Sequence, residues 1–386
     1  MNNSSDHSRI KVRYRIRSSP AAIDALALAV AVEQSVEVPL DVVRDPWLRE
    51  HIVGRVEEVT PLAANRYLVD ISLATATMTF LDDTGNNSPD IAQTINMIFG
   101  NSSMHDAVEL MDVEFPDGFA RHIGGPRFGI DGIRDLVGAP KSRPLTCAAL
   151  KPQGLPTAEL ARLCGTFARN GIDVIKDDHG LADQRYAPFA ERVRACQRAI
   201  IDAERDTGRR VLYAPNLVGT PASLAANARI LRDEGVGAAL VAPMLVGLPA
   251  FHELVHSHLQ IPVLAHPAFC GSGRIDRMFL LGKLFRLLGA DAVIYPHYMG
   301  RFAWPEALCG DIARAALAPW PGIRAAAPVP AGGMTVERVP ELVRFYGADV
   351  MLLIGGSLLQ AGASHEPALA ERIRAFVANA ACADLE

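Results

Sequence analysis

No CxxC pair occurs anywhere in the 386 residues, and the six cysteines stand apart at Cys147, Cys164, Cys196, Cys270, Cys309 and Cys382. That scatter excludes a zinc ribbon and, in a chain of this size, a disulfide frame; buried thiols of a reducing compartment are expected. An extended Lys/Arg block is missing too. With 38 basic against 43 acidic residues the formal charge is −5, which argues against nucleic acid as the main partner. No apolar run is long enough to span a bilayer. The nearest approach, RIKVRYRIRSSPAAIDALALAVAVEQ, sets basic residues before a short apolar stretch, as a signal peptide does. Asp24 interrupts that stretch, and residues 10–16 alternate as a strand does. A cytoplasmic protein with no membrane partner is expected.

What is present divides in two. A hydrophobic content of 49% with 21% charged residues is ordinary for a soluble chain, and 386 residues exceed one ordinary core. Residues 1–125 read as a modest α+β, ferredoxin-like domain. Its strands are expected at 11–16, 55–58, 66–71 and 109–115, with helices over 21–32 and 92–99. The stretch GGPRFGIDG at 124–132 reads as the hinge into residues 126–386. There, short apolar strands alternate with amphipathic helices eight times, near 144–151, 172–178, 210–216, 238–244, 261–267, 291–297, 325–333 and 349–356. Helices such as TAELARLCGTFARN and PASLAANARILRDEG end at Asn or Gly before the next strand. Eight such units predict a closed TIM (β/α)8 barrel rather than an open sheet.

Barrel chemistry gathers at the C-terminal ends of the strands. Those ends carry Lys151, then Lys176-Asp177-Asp178-His179, Asn216, His266, His297, Gly332-Gly333 and Gly355-Gly356-Ser357. Strand alternation turns Lys176 and Asp178 one way and Asp177 the other. Two readings of Lys176 stand: a cation paired with the aspartates, or a neutral amine that has added CO2. The resulting carbamate would join Asp178 and a neighbour in a Mg2+ site. Lys151 could protonate a carbanion. His266 and His297 could be general bases, ligand contacts or hydrogen-bonded structural groups. The two glycine pairs fall where barrels bind phosphate, though a Gly-Gly pair also makes tight turns.

Together these residues resemble the large subunit of RuBisCO. GGPRFGIDGIRDLVGAPKSRPLTCAALKPQGL is similar to that family's first barrel strand, with its active-site lysine at Lys151. NGIDVIKDDHGLADQ resembles the stretch that holds the carbamylated lysine and metal ligands. PVPAGGMTVERVPELVRFYGADVMLLIGG resembles the phosphate-holding last strands. The resemblance implies a carbamate on Lys176, Mg2+ on it and Asp178, and phosphate on Gly332, Gly333, Gly355 and Gly356. AVEQSVEVP and IFGNSSM resemble segments that complete a neighbouring subunit's pocket, nominating Glu33 and Asn101 and implying a homodimer with shared pockets.

Departures from the family pattern point away from CO2 fixation. His179 stands where a second carboxylate ligand is expected, so a divalent ion other than Mg2+ is also admitted. Gln153 replaces a lysine, Pro267 an arginine that binds phosphate, Ala331 a serine, and Arg301 the lysine that holds CO2. The resemblance therefore implies a non-fixing RuBisCO-like protein acting on a sugar phosphate through an enediolate. EQSVEVPLDVV with KDDHGLADQ most resembles the apiose-breakdown branch, implying decarboxylation of 3-oxo-isoapionate 4-phosphate with Lys151, Lys176 and His266 as catalytic groups. His297 and Arg301 would contact substrate. The alternatives are isomerisation or enolisation of methylthio-pentulose phosphates in methionine salvage, and a sugar-phosphate-binding protein without activity.

Overall fold

A computed structural model describes residues 8–83, 85–362 and 366–382. The chain forms two compact units, one of Met1–Gly124 with Cys270–Leu280, the other of Gly125–Phe269 with Leu281–Glu386.

The first unit is built on an antiparallel sheet of β1 (Arg9–Arg17), β2 (Arg55–Ala63), β3 (Arg66–Ala74) and β4 (Val108–Glu114) in the order β2-β3-β1-β4. Alternation in β1 buries Ile10, Val12, Tyr14 and Ile16 and leaves its basic residues toward solvent. The basic run that mimics a leader is thus one face of a central strand. The helices Ile23–Glu33 and Ile91–Phe99 complete this unit as α+β. The sequence reading assigned 270–280 to the barrel domain, but this segment packs with the first unit. Leu110 N–H donates to the Arg274 carbonyl (2.9 Å) and Asp276 N–H to the Leu110 carbonyl (2.8 Å), so the segment binds the free edge of β4.

The second unit holds eight parallel strands: β5 (Leu145–Leu150), β6 (Val174–Asp177), β7 (Leu212–Ala214, resuming at Asn216–Leu217), β8 (Ala239–Val241), β9 (Val263–Ala265), β10 (Ala292–Pro296), β11 (Ala327–Ala331) and β12 (Met351–Leu353). β12 pairs with β5 and β11 lies beside β12, which closes the barrel. Every strand expected from the sequence is present. Pro215 splits β7 because it has no N–H for the ladder.

Leu145, Cys147, Val174, Leu240, Leu264, Ala292, Ile294, Val329 and Leu353 fill the barrel's interior. Ile130, Ile133 and Val137 join that core from the helix Gly129–Val137. Ile130 N–H donates to the Ala325 carbonyl ahead of β11 (3.0 Å), so this helix closes the N-terminal end of the barrel. The second half of the expected hinge is therefore this helix's first turn. Gly129 is required there: its φ is +63° and a Cβ would lie 2.4 Å from the Ala325 oxygen. Among the described residues no helix is long and apolar enough to cross a membrane. All six cysteines are free, five of them buried.

Candidate active site

Alternation decides which strand-end residues meet. The inward set Leu145, Cys147, Val174, Leu264, Val329 and Leu353 continues two residues at a time to Lys151, Lys176, His266, Ala331 and Gly355. Asp177 has the opposite phase and points to the helix layer. It accepts from Arg192 Nε (3.1 Å), Tyr213 Oη (2.8 Å) and Asn216 N (3.1 Å), all in the interior. Lys176 is 3% exposed and its Nζ donates to the Asp177 carbonyl at 2.9 Å. Among the described residues no carboxylate stands within ion-pairing distance of Lys176; the partners of the two aspartates are Arg192 and Lys151. The reading of Lys176 as a cation paired with both aspartates is not met. Burial pushes its pKa down to about 8, assisted by the Lys151 ammonium.

Lys151, at the end of β5, forms an ion pair with Asp178 Oδ2. Its own pKa is lowered by burial and then by Arg301. The other oxygen of Asp178 accepts from Gly180 N (2.9 Å) and lies 3.1 Å from His179 Nδ1. The His179 ring stacks on His266, centroids 4.1 Å apart and planes 12° from parallel. Burial, Lys176, Lys151 and Arg301 lower the His179 pKa, while burial, Lys176, His179 and Lys151 push His266 down to about 2. These five residues share one field, and its basic side chains outnumber the single carboxylate of Asp178. Such a mouth favours anionic ligands.

The loop after β6 is held firmly. Asn216 Nδ2 donates to the carbonyls of His179 (2.9 Å) and Leu181 (2.8 Å), and Gln184 Nε2 to that of Gly180 (2.7 Å). Gln153 Nε2 donates to the same Gly180 carbonyl. Sequence reasoning missed the supporting roles of Arg192, Tyr213 and Gln184. For Arg192 a signal existed: it falls on the buried face of its helix with Phe189, Val193 and Cys196.

Two glycine pairs border the mouth. Gly332 and Gly333 take φ +89° and +121°. The Gly332 carbonyl accepts from Arg301 N (2.9 Å). A Cβ on Gly300 would meet that same carbonyl at 2.4 Å, so the loop after β10 lies directly on the loop after β11. A Cβ on Gly355 would stand 3.9 Å from Lys151 Cδ, and one on Gly356 would meet nothing within 4 Å. His297 is not brought to this cluster. It is wholly buried, with its ring 4.1 Å from Tyr298 and Nδ1 3.4 Å from Tyr346 Oη; burial and Arg338 push its pKa down to about 4. Glu33 and Asn101, in the first unit, meet each other: Asn101 Nδ2 donates to Glu33 Oε1 at 2.8 Å.

Among the described residues no three His, Cys, Asp or Glu side chains converge on a metal position. A divalent ion bound by Asp178 and His179 would have modified Lys176 beside them as a third donor. The donors fit: a buried amine with a lowered pKa, an imidazole beside it, and a carboxylate once Lys151 releases it.

Residues 129–300 match the family model described as ribulose bisphosphate carboxylase large chain, catalytic domain. The chain is 45% identical to the 5-methylthioribulose-1-phosphate isomerase of Rhodospirillum rubrum over 97% of its own length and 96% of that protein's. It is 48% identical to ribulose bisphosphate carboxylase-like protein 1 of Rhodopseudomonas palustris over 92% of this chain and 94% of the relative. A crystal structure of a RuBisCO-like protein from Rhodopseudomonas palustris superimposes with a TM-score of 0.86 at 46% identity, covering 97% of both chains.

Proposed function

The chain belongs to the ribulose bisphosphate carboxylase large-chain family, as one of its RuBisCO-like members, and from that premise we propose that it isomerises a methylthio-pentulose phosphate by proton transfer. The observation that carries this reading is the full-length similarity to an isomerase of 5-methylthioribulose 1-phosphate, joined to a mouth with the groups that chemistry needs. Isomerisation removes a proton from the carbon beside a ketone, delocalises the charge as an enediolate, and returns a proton to the neighbouring carbon. No atom is gained or lost.

Lys151, lowered in pKa beside Gly355, takes that proton as the free amine and, as the ammonium, returns it to the neighbouring carbon. Gly332, Gly333, Gly355 and Gly356 offer backbone to the phosphate, with Arg301 neutralising charge. A divalent ion on carbamylated Lys176, Asp178 and His179 would supply Lewis-acid polarisation of the carbonyl. Pro267 and Ala331 provide no charged or hydroxyl group for a second phosphate, which argues against a bisphosphate substrate. Glu33 and Asn101 complete the pocket of a partner copy in a homodimer. The free thiols support a cytoplasmic setting.

Decarboxylation of 3-oxo-isoapionate 4-phosphate uses the same enediolate and the same proton from Lys151. The test is therefore a comparison. Purified protein with bicarbonate and Mg2+ or Mn2+ is given 5-methylthioribulose 1-phosphate or 3-oxo-isoapionate 4-phosphate and followed by NMR. Isomer formation from the first without CO2 release from the second is expected. CO2 release from the second with no change in the first reverses the assignment. Saturable binding without turnover of either leaves a sugar-phosphate-binding protein.

A further inference from the structure

A cavity of about 670 Å3 opens in the first unit, and every residue that lines it belongs to that unit. Two arginines stand at it. Alternation puts Arg9 of β1 and Arg55 of β2 on one face of the sheet, on either side of Ser72 and Ala74 of β3. Arg9 Nε donates to Ser72 Oγ (3.0 Å), and its terminal nitrogens donate to the carbonyls of His51 (3.2 Å), Val53 (2.8 Å) and Ser72 (2.9 Å). All four acceptors are uncharged. Arg55 donates to the Glu50 carbonyl. Burial and then Arg55 lower the pKa of Arg9, with Glu57 acting the other way. Among the described residues Glu50 is the one carboxylate of the lining, so the cavity carries more positive than negative charge. It also carries a ring. Asp45 caps the helix Pro46–His51 by accepting from Trp47 N (2.8 Å), and Trp47 and His51, four residues apart, stack with centroids 5.1 Å apart and planes 18° from parallel. His51 covers one face of the indole, which is still 51% exposed, so the other face is open at the cavity.

We infer that this cavity binds a nucleoside monophosphate, with the base stacked on Trp47 and the phosphate held by Arg55 beside Arg9. An inorganic anion would meet the arginines and leave the indole open. An apolar ligand would cover the indole and leave both charges unanswered. A planar ring that carries an anion meets both. The roles of the arginines differ. A guanidinium has five N–H groups; Arg9 spends four on the chain's own oxygens, so it contributes mainly charge. Arg55 spends one and keeps a fork for phosphate oxygens. Thr79 and Asn87, on the paired segments Thr79–Leu81 and Asn87–Pro89, add a hydroxyl and an amide for the polar edge of a base. The volume is that of sites which enclose small organic ligands. None of the groups assigned to the reaction lines this cavity, so the site is independent of the substrate the barrel takes.

The test is equilibrium dialysis of the full-length protein against radiolabelled AMP, adenosine and ribose 5-phosphate. Saturable AMP binding that depends on Arg55 and Trp47 is expected. Adenosine lacks the anion and ribose 5-phosphate lacks the ring, so each should bind at least about tenfold more weakly. Arg55→Gln and Trp47→Leu should each weaken AMP by about tenfold or more, while Trp47→Phe, which keeps a ring, stays within about threefold of wild type. Both side chains are exposed, and the Phe variant shows whether a change at position 47 disturbs the fold rather than the ligand. Lys151→Ala, at the barrel mouth, should bind AMP as wild type does. Loss of AMP from Lys151→Ala with retention by Arg55→Gln would place the nucleotide in the barrel and overturn the inference. Absence of AMP binding at millimolar concentration overturns it as well, as does equal affinity for AMP and ribose 5-phosphate. Because the readout is binding, the result stands whether or not either sugar phosphate is turned over.

Discussion

Lys176 carries the largest conflict between stability and use. Its ammonium would sit in the barrel interior with a backbone carbonyl as acceptor, and its pKa falls from 10.5 to about 8. A lowered pKa on a base means the folded protein binds the proton less tightly than the unfolded chain. Below pH 8 both states are protonated and the whole cost, about 3 kcal/mol, is present. From pH 8 to 10.5 the folded state loses its proton first, so stability rises, and above 10.5 the difference vanishes. Lys176→Met removes the burden. Freed of CO2, this variant should be more stable than wild type by about 1–3 kcal/mol at pH 6.5, with the gain shrinking toward pH 10. Urea denaturation at the two pH values measures this; equal stability at pH 6.5 would mean that Lys176 is solvated. The same lowered pKa supplies the neutral amine that CO2 requires, so Lys176→Met should be inactive. Stability given up at a reactive group is common in enzymes.

The loop after β6 is where one element sets the chemistry of another. Asn216, on β7, holds the His179 and Leu181 carbonyls through its amide and the Asp177 carboxylate through its backbone N–H. Asn216→Asp preserves size but turns a carboxylate oxygen toward carbonyls that had a donor. A loss of about 3 kcal/mol is expected, with faster hydrogen exchange over residues 179–184 and unchanged exchange in the helix Gly129–Val137. A global loss that leaves the loop's exchange relative to the core unaltered would show that Asn216 supports the barrel rather than the loop. The barrel itself was legible, because each strand is a short apolar run stopped by Gly or Pro. So was the meeting of Lys151, Lys176 and His266, since all three continue the inward phase of their strands. The same rule sets His297 apart: Ala292 and Ile294 face inward, so position 297 has the outward phase of Tyr295. What alternation could not reveal is the partner of each charge. Asp177 meets Arg192 only because a helix 12 residues after β6 ends lays a basic residue on its buried face.

At the scale of the whole molecule, a pocket shared by two chains makes a prediction about mixed dimers. Lys151, Lys176, Asp178, His179 and His266 all belong to the second unit, while Glu33 and Asn101 belong to the first. The exposed Asn101 amide is bonded to Glu33 at 2.8 Å and reaches Glu37 at 3.2 Å, so the pair is already ordered within one chain. If each pocket takes Glu33 from one protomer and Lys176 from the other, two inactive variants can repair each other. Glu33→Ala and Lys176→Ala, each inactive alone, are unfolded together and refolded as a mixture. Random pairing makes half of the dimers mixed, and each mixed dimer has one pocket with both groups intact and one lacking both, so about a quarter of wild-type activity should return. Co-refolding either variant with itself is the control and should return none. Recovery near zero, with mixed dimers demonstrated by mass spectrometry, would assign the complete site to a single chain and leave Glu33 and Asn101 as a surface pair.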